Sequence, residues 1–203
     1  NIPAVFVANT YEENSIVTDV FILDDGTFVN VSALGESAND ATRVRYRSVY
    51  SEDIDADGLM ELPSTVQLPK HHEEQTVPYY KIRWYSLRRD GTRVYKQSTF
   101  HNYTDGWYLD LLPRWEQELA VDYRQDEQGL PGYWFYRGED ALFSVTALTG
   151  ADAREMAEAD GRFILAEKGD AVYVGRIFDQ KITTEQLQSA FHFIFTDWNS
   201  GEV

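Results

Sequence analysis

The sequence predicts an α+β, β-rich protein. Its first half reads as an antiparallel, blade-like β region, and its second as an antiparallel sheet with one short helix and a long C-terminal amphipathic helix. Three observations carry this. Aromatics are frequent, with 13 Tyr, 11 Phe and 5 Trp among 203 residues, and strands accommodate such side chains well. Short β-branched and aromatic runs alternate with Gly-containing turns. The clearest helix is read in the second half, where Asp152 with Glu155 and Thr183 with Gln186 have capping-box spacing.

The elements follow in order. Residues 4–8, 16–23 and 27–33 read as strands, the last two joined by Asp24-Asp25-Gly26, where Gly supplies positive φ. Residues 36–43 are polar and read as a loop or short helix, and 44–50 alternate like a half-buried strand. The three prolines and charge cluster of 63–78 predict a long surface loop. Residues 79–87 and 93–101 flank a second hairpin turn, where Asp90-Gly91-Thr92 repeats the earlier Asp25-Gly26-Thr27. Such a recurrence is compatible with a propeller-type repeat.

Beyond residue 102, strands are expected at 105–115, 118–124, 132–138 and 142–149, then a short helix after Asp152 that ends before Gly161. Residues 162–178 form a hairpin about Lys168-Gly169-Asp170. In the last helix Leu187, Ala190, Phe191, Ile194, Phe195 and Trp198 recur at helical spacing, with Gly201 past the end. That stripe reads as core. The expected domains are 1–102 and 103–203.

Lys and Arg number 18 against 34 Asp and Glu, a formal charge of −16. Nucleic acid is thereby a poor partner, because phosphate binding needs a basic face. There is no Cys, which removes disulfides, thiolate metal sites and a Cys nucleophile together. No apolar run approaches the roughly 20 residues of a membrane helix. The opening NIPAVFVANTY has neither an initiator Met nor a basic leader, as expected of a mature or trimmed chain whose targeting segment, if any, is absent.

The stretch that carries chemistry is SEDIDADGLMELP, Ser51 to Pro63. Asp53, Asp55 and Asp57 stand on alternate positions, followed by Gly58 and Glu61. A calcium ion takes six to eight oxygens, and such spacing lets alternate carboxylates converge while Gly permits the sharp turn. The expected ligands are the side chains of Asp53, Asp55, Asp57 and Glu61 with the carbonyl of Leu59. An EF-hand is excluded, because its closing acidic position would be Ser64, and Pro63 disfavours an exiting helix. An acidic turn without metal is the alternative.

The segment DIDADGLMELP resembles the calcium loop of FG-GAP/VCBS-type repeats, the blades of integrin-like β-propellers. The resemblance implies structural Ca²⁺, extracellular or cell-surface placement, and adhesion or ligand display. It covers at most residues 1–102, with one loop rather than a series. The second half is similar to the PsbP/Mog1-like α/β domain of secreted Gram-positive lipoproteins, through GWYLDLLPRW, FSVTALTG and the closing helix. That resemblance implies a binding or assembly module, lipid-anchored through an upstream segment.

Other groupings point elsewhere. His71-His72-Glu73-Glu74 could ligate a transition metal, but adjacent histidines in extended chain point apart, which favours a solvated loop. His101 and His192 are isolated, and Glu116 with Glu118 is an uninformative acid pair in so acidic a chain. Nucleophile-elbow, zincin, P-loop and dinucleotide fingerprints do not occur. No catalytic and no organic-cofactor residue is therefore expected. The reading is a non-enzymatic, extracytoplasmic binding or structural protein with a calcium loop, its partner a protein or a cell-wall glycan. Two alternatives stand beside it: a carbohydrate-binding module using exposed Trp84, Trp107, Trp115 or Trp134, and a hydrolase with a site between the halves.

Overall fold

The computed structural model describes residues 2–11, 15–34, 43–44 and 49–194. The polar segment 36–42, most of the strand expected at 44–50, and Phe195, Trp198 and Gly201 of the expected helix lie outside the described residues. The protein is β-rich, with antiparallel sheets and short helices.

The chain divides into two compact units. Asn1–Val66 with Lys81–Thr99 belongs to the first, and Gln67–Tyr80 with Phe100–Ile194 to the second. In the first unit, β1 (Ala4–Tyr11), β2 (Ser15–Asp24) and β3 (Thr27–Asn30) pair in sequence order, and β4 (Arg43–Val44) pairs with β2. The turn between β2 and β3 is Asp25-Gly26, with φ of 46° and 80°. Two consecutive positive φ values match the right-handed twist of the flanking strands, which is why an Asp-Gly pair sits there. Val20, Ile22, Val31 and Leu62 form one buried cluster of this unit. Val20, Ile22 and Val31 also line a groove of about 580 Å³, together with Leu59 and Met60.

A five-stranded sheet runs β14 (Phe191–Phe193), β8 (Trp107–Leu111), β7 (Arg93–Asn102), β6 (Tyr80–Leu87), β5 (Leu62–Gln67). Strand β5 corrects the expectation of an unbroken loop from Pro63. Proline tolerates the second position of an edge strand, where no ladder donor is required of it, and Ser64-Thr65-Val66 continue in extended form. The rest of the expected loop is anchored from inside. Buried Gln75 donates to the carbonyls of Val77 (2.9 Å) and Val121 (3.2 Å) and accepts from the His71 amide (2.9 Å).

The third sheet has the order β12 (Arg162–Lys168), β13 (Ala171–Ile177), β11 (Asp140–Leu148), β10 (Pro131–Arg137), β9 (Leu119–Gln125). The second unit's core is aromatic, with Trp107, Trp115, Phe135 and Phe143 buried alongside Leu187. Helix α1 (Ala153–Ala157) starts after Asp152 as expected, but the Asp152 side chain caps nothing. Its φ and ψ of −95° and 3° differ from the extended geometry that a capping side chain needs.

Helix α2 (Thr184–Ala190) carries the full capping box. Thr183 Oγ1 accepts from the Gln186 amide at 3.3 Å, and Gln186 Oε1 accepts from the Thr183 amide at 3.1 Å. The long C-terminal helix is a correction: α2 ends at Ala190 and β14 begins at once. Phe191 takes φ and ψ of −90° and 126°, and Phe191, His192 and Phe193 pair with Leu109, Tyr108 and Trp107. Phe191-His192-Phe193 also has the period of a strand, and β8 offers it a ladder that a helix does not need. Leu187, Ala190 and Phe191 are core residues all the same.

Candidate metal centre

The acidic loop is closed at its neck by a single antiparallel bridge. The Glu52 amide donates to the Glu61 carbonyl at 3.2 Å and the Glu61 amide to the Glu52 carbonyl at 2.8 Å. Inside the loop, Asp53 organises the turn, its two carboxylate oxygens accepting the amides of Asp57 (3.0 Å) and Gly58 (2.9 Å). Asp57 Oδ1 accepts the Leu59 amide at 2.8 Å. Ala56 and Gly58 take φ of 56° and 83°, the left-handed values that let so short a segment curl on itself. Aspartate at these positions thus both makes the turn and lines it.

The structure brings three of the expected ligands together. One carboxylate oxygen each of Asp53, Asp55 and Glu61 lies within 4.8 Å of the others. Oxygens held by a single calcium at 2.3–2.6 Å are separated by no more than about 5 Å, so the three fit one ion. Asp57 stands outside this triad, engaged with the Leu59 amide and with Lys96.

Glu61 is the unusual member. Its side chain is 0 % exposed; Oε2 accepts the Ile54 amide at 3.3 Å, but Oε1 has no hydrogen-bond partner among the described residues. Burial, reinforced by the Asp55 carboxylate, pushes its carboxyl up to about 7. An ionised carboxylate so placed is costly unless a cation or a donor meets it. Above the triad, Lys96 Nζ donates to Asp55 Oδ2 at 3.0 Å and to Asp57, and lies 3.9 Å from Glu61 Oε1. The Lys96 hydrogen bond is the main reason that the Asp57 carboxyl falls below its ordinary range. Hydrogen bonds to Asp57 and then Asp55 hold the Lys96 ammonium above its own range.

Lys96 and Gln97, whose Nε2 donates to the Ile54 carbonyl at 3.2 Å, were not legible as parts of this site. Both come from β7, far along the chain, and no local pattern marks them. The donor set is all oxygen, which suits a hard cation such as calcium and argues against a site built for zinc or copper.

The other groupings fall away from metal chemistry. His71 stacks on Tyr136, with ring centroids 3.6 Å apart, and His72 Nε2 faces Asp122 at 3.4 Å. Neither joins a metal-competent grouping among the described residues. His192 Nε2 lies 2.9 Å from Asp110 Oδ2, its ring stacked on Tyr108. His101 stacks on the same Tyr108 ring, with centroids 4.8 Å apart, and burial holds its pKa down to about 3. The four tryptophans expected to offer a sugar platform are interior. Trp84, Trp107, Trp115 and Trp134 are 0, 1, 0 and 6 % exposed. Their large apolar area serves the core, and Trp84 Nε1 is satisfied by Thr99 Oγ1 at 2.8 Å.

No family model, no curated protein and no solved structure matches this chain.

Proposed function

We propose that this is a non-enzymatic, extracytoplasmic binding or structural protein whose Asp53–Glu61 loop holds Ca²⁺ as part of its scaffold. The observation that carries the reading is Glu61 Oε1, buried, without a hydrogen-bond donor among the described residues, and grouped with oxygens of Asp53 and Asp55. A divalent ion would meet all three carboxylates at once and remove the cost of the buried charge. Asp53, Asp55 and Glu61 would hold it, while Asp57 and the amides of Gly58 and Leu59 keep the turn in shape. The placement outside the cytoplasm, and a partner that is a protein or a cell-wall glycan, rest on the resemblance of this loop to FG-GAP/VCBS-type repeats. Extracellular modules need only weak sites, around 10⁻⁴–10⁻³ M.

One observation favours a second reading. Lys96 already places a positive charge against Asp55 and Asp57, and the loop could keep it as its permanent counter-ion, with no metal bound.

The test is a thermal melt after chelator treatment, with and without millimolar calcium, magnesium serving as control. Calcium should raise the melting temperature of the wild type, and the double variant Asp55→Asn with Glu61→Gln should lose the rise. An equal response to magnesium, or an undiminished rise in the double variant, would sink the proposal. No response at all would favour the lysine reading.

A further inference from the structure

Lys96 reaches the loop because of an irregularity in the sheet. Trp84 of β6 pairs with Gln97 and Tyr85 with Tyr95, so Lys96 is the extra residue of a bulge and faces no partner on β6. A bulge re-aims the side chain it carries and recurs next to functional sites. Here it directs Nζ onto Asp55 and Asp57.

The ammonium does only part of what the carboxylates require. At 3.9 Å from Glu61 Oε1 it makes an ion pair but no hydrogen bond, so that buried oxygen is left without a hydrogen-bond donor among the described residues. An ammonium brings one charge and three donors, whereas calcium brings two charges and accepts six to eight oxygens. Both cannot be well held by Asp55, since each draws on the same carboxylate and the two cations repel.

Resting on the calcium reading, we propose that Lys96 is a built-in competitor for the divalent ion, displaced from Asp55 and Asp57 when the metal enters. The loop then has two states, lysine-in and metal-in, and Lys96 sets the calcium concentration at which one replaces the other. A metal that binds only the lysine-out state has its apparent affinity reduced by the fraction of molecules in that state. With a minor state of about 10 % or less, removal of the ammonium should tighten calcium binding about tenfold or more.

The experiment is calorimetric titration with calcium chloride of the chelated wild type and of Lys96→Met, which keeps the apolar stem and removes the charge. In parallel, wild-type Lys96 is footprinted with an amine-reactive reagent, with and without calcium, and read by mass spectrometry. About tenfold tighter binding by the variant, and faster labelling of Lys96 in calcium, are expected. Binding by the wild type with equal or weaker binding by a folded Lys96→Met overturns the competitor and leaves the calcium site standing. Binding by the variant alone supports the competitor and removes calcium as a ligand of the unmodified chain. Binding by neither overturns both. Should the variant fail to fold, labelling decides: wild-type binding with no change at Lys96 overturns the proposal.

Discussion

Glu61 makes the stability of the metal-free protein depend on pH in a direction opposite to that of most native carboxylates. Its carboxyl titrates about 7 in the fold against an ordinary value of 4.5. Below pH 4.5 both states hold the proton and Glu61 contributes no pH dependence. Between 4.5 and 7 the native state keeps a proton that the unfolded chain has released, so stability falls as pH rises and levels off above 7. At about 1.4 kcal/mol for each unit of pKa, the loss reaches about 3 kcal/mol at most. Glu61→Gln should erase it, since an amide neither ionises nor needs a counter-ion. Urea denaturation in chelator at four or five pH values between 4.5 and 8 measures the slope directly. Calcium should reverse the trend in the wild type, because the ion binds the ionised carboxylate and its stabilisation grows as pH approaches 7. Parallel pH profiles for the wild type and Glu61→Gln in chelator would refute the reasoning, since no other residue is altered between them.

Two further substitutions probe the scaffold of each unit. Gly91→Ala should be far more damaging than Gly26→Ala: both glycines have positive φ, but a Cβ at 91 would fall against the Leu34 carbonyl, whereas at 26 it meets open space. Urea denaturation should show about 1–2 kcal/mol for Gly26→Ala and a clearly larger loss, about 3 kcal/mol or more, for Gly91→Ala; equal losses would mean that the approach to Leu34 is not maintained. In the second unit Arg162 and Asp126 form a buried pair at 2.7 Å, with side chains 4 and 8 % exposed. Arg162→Met should cost about 3–5 kcal/mol by stranding Asp126, and adding Asp126→Leu should recover much of that loss; a double variant no better than the single one would contradict this.

Features that depend on near neighbours were legible in the sequence. The Asp25-Gly26 turn, the hairpin about Gly169-Asp170 and the Thr183–Gln186 capping box all appear where residue chemistry placed them. Each is decided within four residues, by φ preferences and side-chain reach. The misread elements were decided from a distance. Strand β5 exists because β6 offers it an edge, and α2 stops because Phe191–Phe193 find a ladder on β8. The tryptophans were equally opaque, for an aromatic on a strand can face core or solvent until the sheets are placed.

The acidic loop divides along the same line. Its carboxylates were readable because such a loop is a local object: acids at alternate positions, a glycine at the turn and an acid to close it. The structure groups Asp53, Asp55 and Glu61 accordingly. What the spacing of oxygens cannot encode is the cation that answers them. Lys96 stands 41 residues from Asp55 and 39 from Asp57, delivered by a bulge in β7 that no pattern around it announces. Four carboxylates in a small loop demand positive charge, and that demand holds whichever source supplies it. The acidic spacing therefore specifies a place for positive charge, and the register of a neighbouring hairpin brings Lys96 to it.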